Sequence, residues 1–400
     1  MEGGEEQRTA SPHPGWLFRG VSVSPRFITA LSPSESAFVA RPLSRLAAWL
    51  CLGYESIMTL ADDEKFMRLA LREAAKGLRL TSPNPSVGAV IVKAGRVIAK
   101  GWHRCAGGPH AEIEALRALK SPGLARGGTM YVTLEPCCTH GRTPPCTAEI
   151  VNAGLVRVVV GATDPNPLHA GRGFAILKKA RVAVTRDVMG AECAALNAAF
   201  NKWVTTGLPL VTVKAGISLD GRLTRAEGEG TWLTSKASRA DAMRLRAQVD
   251  AIIVGAGTVR ADNPRLTVRG LRGRASRQPW RVVLTRSGRL PKRAHLFCDM
   301  HRERTLVFRG KSLRAVLCDL AVRGCTGVTI EGGGTLLGSA FEARLVDRVQ
   351  FYLAPLLCGG PDVIGGLGAG SARESPRLEN AVFRKIGPDI RLTAEVRYPD

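Results

Sequence analysis

Four residues in the first half of the chain have the types and spacing of a catalytic metal site. His110 and Glu112 lie two positions apart at the expected start of a helix, so both side chains can face one cavity. Further along, Cys137 follows an expected strand and Cys146 opens the next expected helix. A helix N-terminus favours the thiolate form of cysteine, which is the form that binds metal. One imidazole and two thiolates would hold a zinc ion and leave its fourth position open for water.

The open fourth position indicates hydrolytic chemistry. Zinc lowers the pKa of a bound water toward about 7, and Glu112 could carry the water's proton to a leaving ammonia. A His-x-Glu pair followed by Pro136-Cys137 is the pattern of zinc-dependent nucleobase deaminases. Taken singly, a histidine at a helix start or a small buried cysteine is ordinary, but the ordered set favours the metal site. A closed structural zinc site is the alternative, with His140, or less easily Cys138, as the fourth ligand.

The composition limits the class of protein. With 400 residues, of which 45% are hydrophobic and 23% charged, the chain fits a folded protein of two ordinary domains. The net charge of +23 would suit nucleic acid, but the basic residues are spread along the chain and only 5% of residues are aromatic. We therefore favour a phosphorylated small molecule as partner. No apolar run approaches the roughly 18 residues that a membrane span requires. Ten scattered cysteines, some with metal-like spacing, indicate a reducing compartment and hence the cytoplasm.

Residues 1–57 differ in composition from the rest of the chain. They are rich in Ser, Pro, Arg and Gly, show little periodicity, and precede Met58, which resembles a natural start. We interpret them as a disordered leader or an over-extended N-terminus. A transit peptide, and with it a plastid location, is the alternative, although the acidic Glu2, Glu5 and Glu6 argue against it.

The remaining residues alternate between strand and helix patterns, which predicts an α/β protein. In the first series we expect helices at 63–76, 110–119, 145–153, 171–180 and 190–205, and strands at 87–92, 96–101, 129–134, 156–161 and 182–185. In the second series we expect strands at 210–215, 251–254, 281–284, 305–308, 327–330 and 348–354. Thr206-Gly207, with Pro209 just beyond, ends the last helix of the first series. We therefore divide the chain into domains 58–207 and 208–400.

Several motifs in order carry a family resemblance. An eight-residue insert separates Cys137 from Cys146, with Pro83-Asn84-Pro85 upstream and Asp164-Pro165-Asn166-Pro167 downstream. The second half contains Lys214-Ala-Gly-Ile-Ser218-Leu-Asp220-Gly221, Trp232-Leu-Thr-Ser, Gly257-Thr258-Val-x-Ala-Asp262-Asn-Pro, Leu266-Thr-Val-Arg269 and Glu331-Gly-Gly-Gly-Thr335. Together these motifs, spread over essentially 60–400, resemble the bifunctional deaminase/reductase of riboflavin biosynthesis.

The resemblance implies a fold and two activities. The fold would be a cytidine-deaminase-like three-layer domain followed by a dihydrofolate-reductase-like α/β domain. The first activity would use zinc to deaminate 2,5-diamino-6-ribosylamino-4(3H)-pyrimidinone 5′-phosphate to 5-amino-6-ribosylaminouracil 5′-phosphate. The second would use NADPH to reduce the ribosyl group to a ribityl chain. The resemblance also suggests a homo-oligomer.

In the first half, the resemblance implies a set of substrate-binding residues: Asn84, His103, Arg142, Asp164 and Asn166. Asn and Asp side chains can read a pyrimidine edge, and arginine suits a phosphate. The residues alone allow a simpler interpretation, because Pro-Asn-Pro and Asp-Pro-Asn-Pro are also turn formers.

In the second half, the residues implied at the substrate are Lys214, Arg246, Leu266, Arg269 and Glu331. Those implied near NADPH are Gly216, Trp232, Thr258, Asp262 and the loop Gly332–Ser339, which includes Gly333, Gly334 and Thr335. A glycine-rich run between a strand and a helix can present backbone N–H groups to phosphate, although such a run is by itself more often a tight turn. No G-x-G-x-x-G fingerprint opens a βαβ unit, so a Rossmann domain is not expected.

Two positions depart from the family pattern. Thr285-Arg286 stand where the family usually has Asp and then Ser or Thr. Arg286 could strengthen a contact with the 2′-phosphate of NADPH or obstruct the site. Gly230 stands at a substrate position and has no side chain to offer. Two alternatives therefore stay open: a monofunctional deaminase with a degenerate second half, and a basic RNA-binding or RNA-editing deaminase.

Overall fold

The structure, a computed structural model, describes residues 59–139, 144–223, 232–271 and 278–399. The predictions for 1–57, His140, Arg142 and Gly230 lie outside these residues. The described residues belong to one compact unit. Among them, no helix is both long and apolar enough to cross a membrane.

The first half of the described chain folds around a five-stranded sheet. Its elements are α1 (Leu60–Ala74), β1 (Gly88–Lys93), β2 (Arg96–Trp102), α2 (Ala111–Arg117), β3 (Thr129–Leu134), α3 (Cys146–Asn152), β4 (Arg157–Ala162), α4 (Arg172–Lys179), β5 (Ala183–Thr185), α5 (Gly190–Leu196) and α6 (Ala198–Thr206). The strand order is β2-β1-β3-β4-β5, in which β1 is antiparallel to β2 and β3 while β3, β4 and β5 are parallel. Strands β1, β3 and β4 are buried almost throughout, and because successive residues face opposite sides, both faces are covered. The predicted three-layer arrangement is confirmed.

The second half folds around an eight-stranded sheet. Its elements are β6 (Leu210–Ser218), α7 (Lys236–Arg246), β7 (Ala251–Gly255), α8 (Ala256–Asp262), β8 (Trp280–Thr285), α9 (His295–Cys298), β9 (Thr305–Arg309), α10 (Leu313–Val322), β10 (Gly327–Ile330), α11 (Gly334–Glu342), β11 (Arg348–Ala354), β12 (Arg377–Ile386) and β13 (Asp389–Arg397). The order is β12-β13-β11-β6-β10-β7-β8-β9. The six strands from β11 to β9 are parallel, and β13 and β12 add antiparallel at one edge. Short 3₁₀ turns occur at Ala75–Gly77, Pro122–Ala125 and Arg302–Arg304.

Two details differ from the sequence predictions. The single helix predicted over 190–205 is wrong, because the helix breaks at Asn197 into α5 and α6. Strands β12 and β13 are absent from the predicted strands; every residue of β12 except the last is exposed, so no buried periodicity marks it.

Asn197 explains the break between α5 and α6. Its side-chain oxygen accepts the Ser86 N–H at 2.8 Å, and its amide donates to the Ser86 carbonyl at 2.9 Å. This pair of bonds satisfies the backbone of the segment just beyond Asn84, and Asn197 is only 5% exposed. The sequence gives no periodic signal for a polar side chain that bonds a distant backbone.

A buried carboxylate holds α1 on the first sheet. Asp63 accepts hydrogen bonds from Tyr131 Oη at 2.9 Å and from two nitrogens of Arg157 at 2.9 and 2.6 Å. Arg157 also donates to Thr185 Oγ1 at 2.8 Å. One carboxylate therefore links a helix to the neighbouring strands β3 and β4, and through Arg157 to β5.

Replacing Asp63 should destabilise the first half strongly. In Asp63→Ala, Tyr131 and Arg157 lose their shared acceptor, and breaking a buried pair in this way costs about 3–5 kcal/mol. The exposed pair Glu64–Arg68, at 2.9 Å, provides the control, because Glu64→Ala should cost about 0–1 kcal/mol. Chemical denaturation followed by circular dichroism measures both losses. Equal losses in the two variants would contradict the proposed role of Asp63.

The two halves are joined by polar contacts as well as by the chain. Lys202 of α6 donates to both oxygens of Asp347 at 2.6 and 2.5 Å, and Asp347 also accepts the Val211 N–H at 2.7 Å. Arg79 donates to the Ala247 carbonyl at 3.2 Å. The contacts of Asp347 fix the start of β6 against the last helix of the first half, and the Arg79 contact ties the end of α7 to the first half.

Candidate active sites

The three predicted zinc ligands, His110, Cys137 and Cys146, lie close together in the first half. His110 Nδ1 lies 3.4 Å from Cys137 Sγ and 3.3 Å from Cys146 Sγ, and the three ligand atoms all lie within 4.8 Å of one another. His110 occupies the N-cap of α2, but its ring makes no capping bond. The interpretation of His110 as an ordinary cap is therefore wrong.

The local fold explains why these three residues converge. His110 precedes α2, Cys137 follows β3, and Cys146 is the first residue of α3. The Cys146 N–H donates to Cys137 Sγ at 3.3 Å, so the start of α3 stabilises negative charge on that sulfur. Two sulfurs and one nitrogen at these separations fit the edges of a zinc tetrahedron, which are roughly 3.5 Å for ordinary Zn–S and Zn–N bonds.

The protonation of the cluster also fits a metal site. The pKa of Cys137 is lowered to about 4, first by the hydrogen bond from Cys146 and then by His110. The pKa of His110 is raised to about 9 by its hydrogen bond to Cys137. The three groups therefore share protons around one thiolate. A soft dication that displaces these protons satisfies all three groups at once.

Glu112 lies in the same cleft without joining the ligand cluster. It is 3% exposed, and burial raises its pKa to about 7. The charge of His110 lowers this pKa, whereas that of Cys137 raises it further. A carboxyl that titrates near neutral pH can both accept and donate a proton under physiological conditions. Its place in the first turn of α2, close to His110, is the one that the sequence predicts.

Asn84 and His103 form a hydrogen-bonded pair beside the cluster. His103 Nδ1 lies 2.8 Å from the Pro109 carbonyl, so this nitrogen donates and Nε2 accepts from Asn84 Nδ2 at 3.3 Å. Burial lowers the pKa of His103, which agrees with a neutral ring. The ring meets that of His110 edge to face, with centroids 5.3 Å apart. The pair fixes the orientation of the Asn84 amide toward the cleft.

Asp164 and Asn166 act as turn formers and also line the cleft. Asp164 Oδ1 accepts the Asn166 N–H at 2.9 Å, and Asn166 Oδ1 accepts the Leu168 N–H at 3.0 Å. Both bonds are local turns of the kind that the residue types allow. Burial raises the pKa of Asp164. The two interpretations made from the sequence are therefore compatible.

The cleft collects most of the residues predicted for the first half. It measures about 570 Å³, a size that suits a small-molecule ligand. The predicted residues that line it are Asn84, His103, His110, Glu112, Cys137, Asp164 and Asn166. It also contains Glu135 and His169, which sequence reasoning missed. The signal available in the sequence for Glu135 was an acidic residue in the short segment between an expected strand and a metal-binding cysteine.

In the second half, three charged residues from different elements form one ion-pair cluster. Lys214 of β6 lies 3.0 Å from Glu331, and Arg246, the last residue of α7, contacts both Glu331 oxygens at 2.8 Å. The Glu331 side chain is 6% exposed. Burial alone would raise the pKa of Glu331, but Arg246 and Lys214 outweigh burial and hold it below the ordinary value. Glu331 therefore remains a carboxylate that orients two cations.

The remaining predicted substrate residues lie beside this cluster in different ways. Arg246 donates to the Thr267 carbonyl at 3.3 Å, and Arg269 donates to Thr267 Oγ1 at 2.7 Å. Leu266 has a left-handed backbone (φ 49°), and the residue is only 2% exposed within a hydrophobic cluster.

Several predicted cofactor residues lie at the carboxyl ends of the parallel strands. Thr258 follows β7 and Gly333 follows β10, and a Cβ added to Gly333 would lie 4.0 Å from Thr258 Oγ1. Thr335 is in the first turn of α11, and Asp262 ends α8. A Cβ on Gly334 would lie 2.3 Å from the Asp362 carbonyl, so a larger residue at this position would clash with that backbone.

The other cofactor positions are more scattered. A Cβ on Gly216 would lie 3.0 Å from Thr234 Cγ2, so a larger residue at this point of β6 would require Thr234 to move slightly. Trp232 is 62% exposed, with the Arg239 guanidinium 5.1 Å from its ring centroid. Arg286 is exposed just beyond β8, at the same edge of the sheet as Thr258.

The fold and the two clusters define an enzyme that joins a zinc-dependent deaminase to a reductase. Residues 60–162 match the cytidine and deoxycytidylate deaminase zinc-binding region, and residues 209–392 match the RibD C-terminal domain. Among curated relatives, riboflavin biosynthesis protein RibD of Bacillus amyloliquefaciens is 39% identical over 83% of this chain and 96% of its own length. That of Escherichia coli K12 is 38% identical over 83% and 98%. The chain belongs to the RibD family of riboflavin biosynthesis, which combines a zinc deaminase with an NADPH-dependent reductase.

Solved structures agree with this assignment. Acinetobacter baumannii RibD superposes with a TM-score of 0.77 at 37% identity, covering 84% of this chain and 99% of that one. A diaminohydroxyphosphoribosylaminopyrimidine deaminase/5-amino-6-(5-phosphoribosylamino)uracil reductase from Thermotoga maritima gives the same TM-score at 34% identity, covering 84% and 99%. The predicted order of the two domain folds is thereby confirmed.

Replacing each of two adjacent cysteines by serine tests which of them is a zinc ligand. Cys137→Ser should lose the zinc, because a serine hydroxyl replaces a thiolate at the centre of the cluster. Cys138→Ser should keep about one zinc per chain, because Cys138 lies outside the three-residue cluster and its sulfur is 4.0 Å from His169 Nδ1. Metal content of the purified variants, measured by atomic absorption, decides the matter. Loss of zinc from the Cys138 variant would indicate a closed site instead.

Proposed function

We propose that this chain catalyses two consecutive steps of riboflavin biosynthesis. The first is the deamination of 2,5-diamino-6-ribosylamino-4(3H)-pyrimidinone 5′-phosphate, and the second is the reduction of the ribosyl group of the product to a ribityl chain. The observation that carries the proposal is the presence of both clusters, His110–Cys137–Cys146 and Lys214–Arg246–Glu331, in one chain of this family. The intact second cluster argues against a degenerate second half.

In the deaminase step, His110, Cys137 and Cys146 would hold zinc, and Glu112 would be the catalytic residue. When bound, zinc supplies an acidified water to attack the ring carbon that carries the amino group. Glu112 accepts the proton of that water and donates it to the leaving ammonia, a role supported by its burial and its raised pKa of about 7.

Five other residues would bind and orient the deaminase substrate. The amide of Asn84, held by His103, and the side chains of Asp164 and Asn166 present polar groups to the pyrimidine edge. Arg142 would pair with the phosphate, since the insert that carries it opens at the metal ligands.

In the reductase step, Glu331 would hold Lys214 and Arg246 in place against the phosphorylated substrate, with Arg269 and the backbone of Leu266 beside them. NADPH supplies a hydride to the sugar carbon. The cofactor would lie over the carboxyl ends of β7 and β10, where the candidate residues are Thr258, Asp262, Gly333, Gly334 and Thr335. Gly216 of β6 and the exposed Trp232 are the further candidates. The exposed Arg286 lies at this edge and suits the 2′-phosphate of the cofactor.

The domain division and the oligomeric state belong to the same proposal. Domains 58–207 and 208–400 are supported by the gap between the two sheets, β5 ending at Thr185 and β6 beginning at Leu210. A homo-oligomer is supported by the edge strand β12, whose Leu378, Val382 and Phe383 are 44%, 50% and 66% exposed. The cytoplasm suits the zinc cysteines, which must stay reduced to bind metal.

One assay tests both activities. Purified protein with zinc would receive the diaminopyrimidinone ribosyl phosphate, with and without NADPH, while the products are followed by mass. Replacement of an amino group by oxygen should add about one mass unit, and reduction should add about two more when NADPH is present, consistent with hydrolysis followed by hydride transfer. No change under either condition would reject the proposal, and the first change alone would indicate a monofunctional deaminase.

Two variants should separate the activities. Glu112→Gln should keep zinc and reductase activity but lower deamination by about 10²–10⁴, because the proton carrier is lost. Glu331→Gln should keep zinc and deamination but lower reduction roughly tenfold or more, because Lys214 and Arg246 lose their common charged partner. Each variant is the control for the other. Zinc loss in Glu112→Gln would identify Glu112 as a ligand rather than the proton carrier.

A further inference from the structure

We propose that Glu135 is a positioning residue for the substrate-binding loop Asp164–Gly173 of the deaminase half. The proposal rests on the function proposed above, because it concerns how this site holds its pyrimidine. Glu135 stands directly after β3 and two residues before Cys137, and it is 5% exposed. It also lines the cleft that contains Glu112.

Backbone N–H groups satisfy the buried carboxyl group of Glu135. In the described part of the chain, no Lys, Arg or His side chain forms an ion pair with it. Its Oε2 accepts the Asp164 N–H at 3.3 Å and the Gly171 N–H at 3.0 Å, and its Oε1 accepts the Gly173 N–H at 2.9 Å. These three backbone donors satisfy both oxygens of the buried Glu135 side chain.

These three donors lie at the two ends of one loop. Asp164 stands two residues after β4, and Gly171 and Gly173 stand at the start of α4. Between them the loop presents Asp164, Asn166 and His169 to the cleft. The turns within the loop are short-range, so they shape it without fixing its place. The Glu135 carboxylate fixes that place by attaching both ends of the loop to the strand that leads to Cys137.

The two glycines are required by this attachment. Gly171 has a left-handed backbone with φ 78°. A Cβ on Gly173 would lie 2.5 Å from the Pro136 carbonyl and 3.1 Å from Glu135 Oε1, so any side chain would push the loop off the carboxylate. Gly173→Ala therefore disturbs the same contact from the opposite side, and the atoms nearest the new Cβ belong to Pro136 and Glu135 rather than to a ligand side chain or Glu112.

The consequence for catalysis concerns substrate binding. In the described residues, His110, Cys137, Cys146 and Glu112 form no side-chain hydrogen bond with Asp164–Gly173, so these four residues should keep their places when the loop loosens. Asp164 and Asn166, the loop residues proposed to bind the pyrimidine edge, lose their fixed positions. Loss of the attachment should therefore raise the KM for deamination and leave kcat nearly unchanged.

The test uses the full chain with Glu135→Gln and Gly173→Ala, and with Glu64→Gln, a change of the same type on the exposed face of α1, as control. Glu135→Gln replaces an acceptor oxygen by a donor that faces backbone N–H groups. We expect the KM for the diaminopyrimidinone substrate to rise about tenfold or more in both loop variants, with kcat within about threefold. Zinc content and reductase activity should match the control, which also reports correct folding.

Hydrogen–deuterium exchange provides a readout that does not need activity. Backbone amides of 164–173 should exchange faster in both loop variants than in the control. Glu135→Gln removes one of the two carboxylate oxygens that accept their hydrogen bonds, and Gly173→Ala displaces the loop from that carboxylate. Unchanged exchange, or an unchanged KM, would overturn the positioning role. A parallel fall of kcat and zinc content would instead assign Glu135 to the support of the metal ligands. If the wild-type chain deaminates nothing, the proposed function fails, while the exchange result still decides whether Glu135 holds the loop.

Discussion

Both sites depend on parallel strands that end side by side at the carboxyl edge of a sheet. In the first half, β3 and β4 end together, so the loop with Cys137 and the loop with Asp164 meet over one cleft. In the second half, β10 ends beside the middle of β6 and near the end of β7, and this alignment brings Lys214 of β6 to Glu331 and Gly333 to Thr258. The chemistry differs between the halves, but the geometric cause of convergence is the same.

Buried carboxylates then fix what the sheets bring together. Asp63, Glu135 and Glu331 each accept at least three hydrogen bonds, yet their partners differ: an arginine and a tyrosine, three backbone amides, or an arginine and a lysine. A buried carboxylate is tolerated only where such partners satisfy it. The partners differ in kind, because Glu331 orients two side-chain cations whereas Glu135 accepts backbone N–H groups from the two ends of one loop.

Much of this arrangement could be predicted from residue types and spacing. His110, Cys137 and Cys146 combine ligand chemistry with a chain order that is rare outside metal sites, and the buried strands show continuous apolar runs. The break at Asn197 could not be predicted, because it depends on a backbone segment far away in sequence. Strand β12 lacks a buried face, and the acceptor role of Glu135 emerges only when the two ends of the loop meet.

The contact of Lys202 with Asp347 bears on how the two halves could become separate proteins. The ammonium belongs to the last helix of the deaminase and the carboxylate to the reductase, whose own Val211 N–H also uses it. Fission of the gene between them would leave each sheet whole and each catalytic cluster complete, but it would expose this pair to solvent and salt. Reassociation would then be sensitive to ionic strength. The fused chain keeps the pair together at every protein concentration, because the linkage makes the encounter intramolecular.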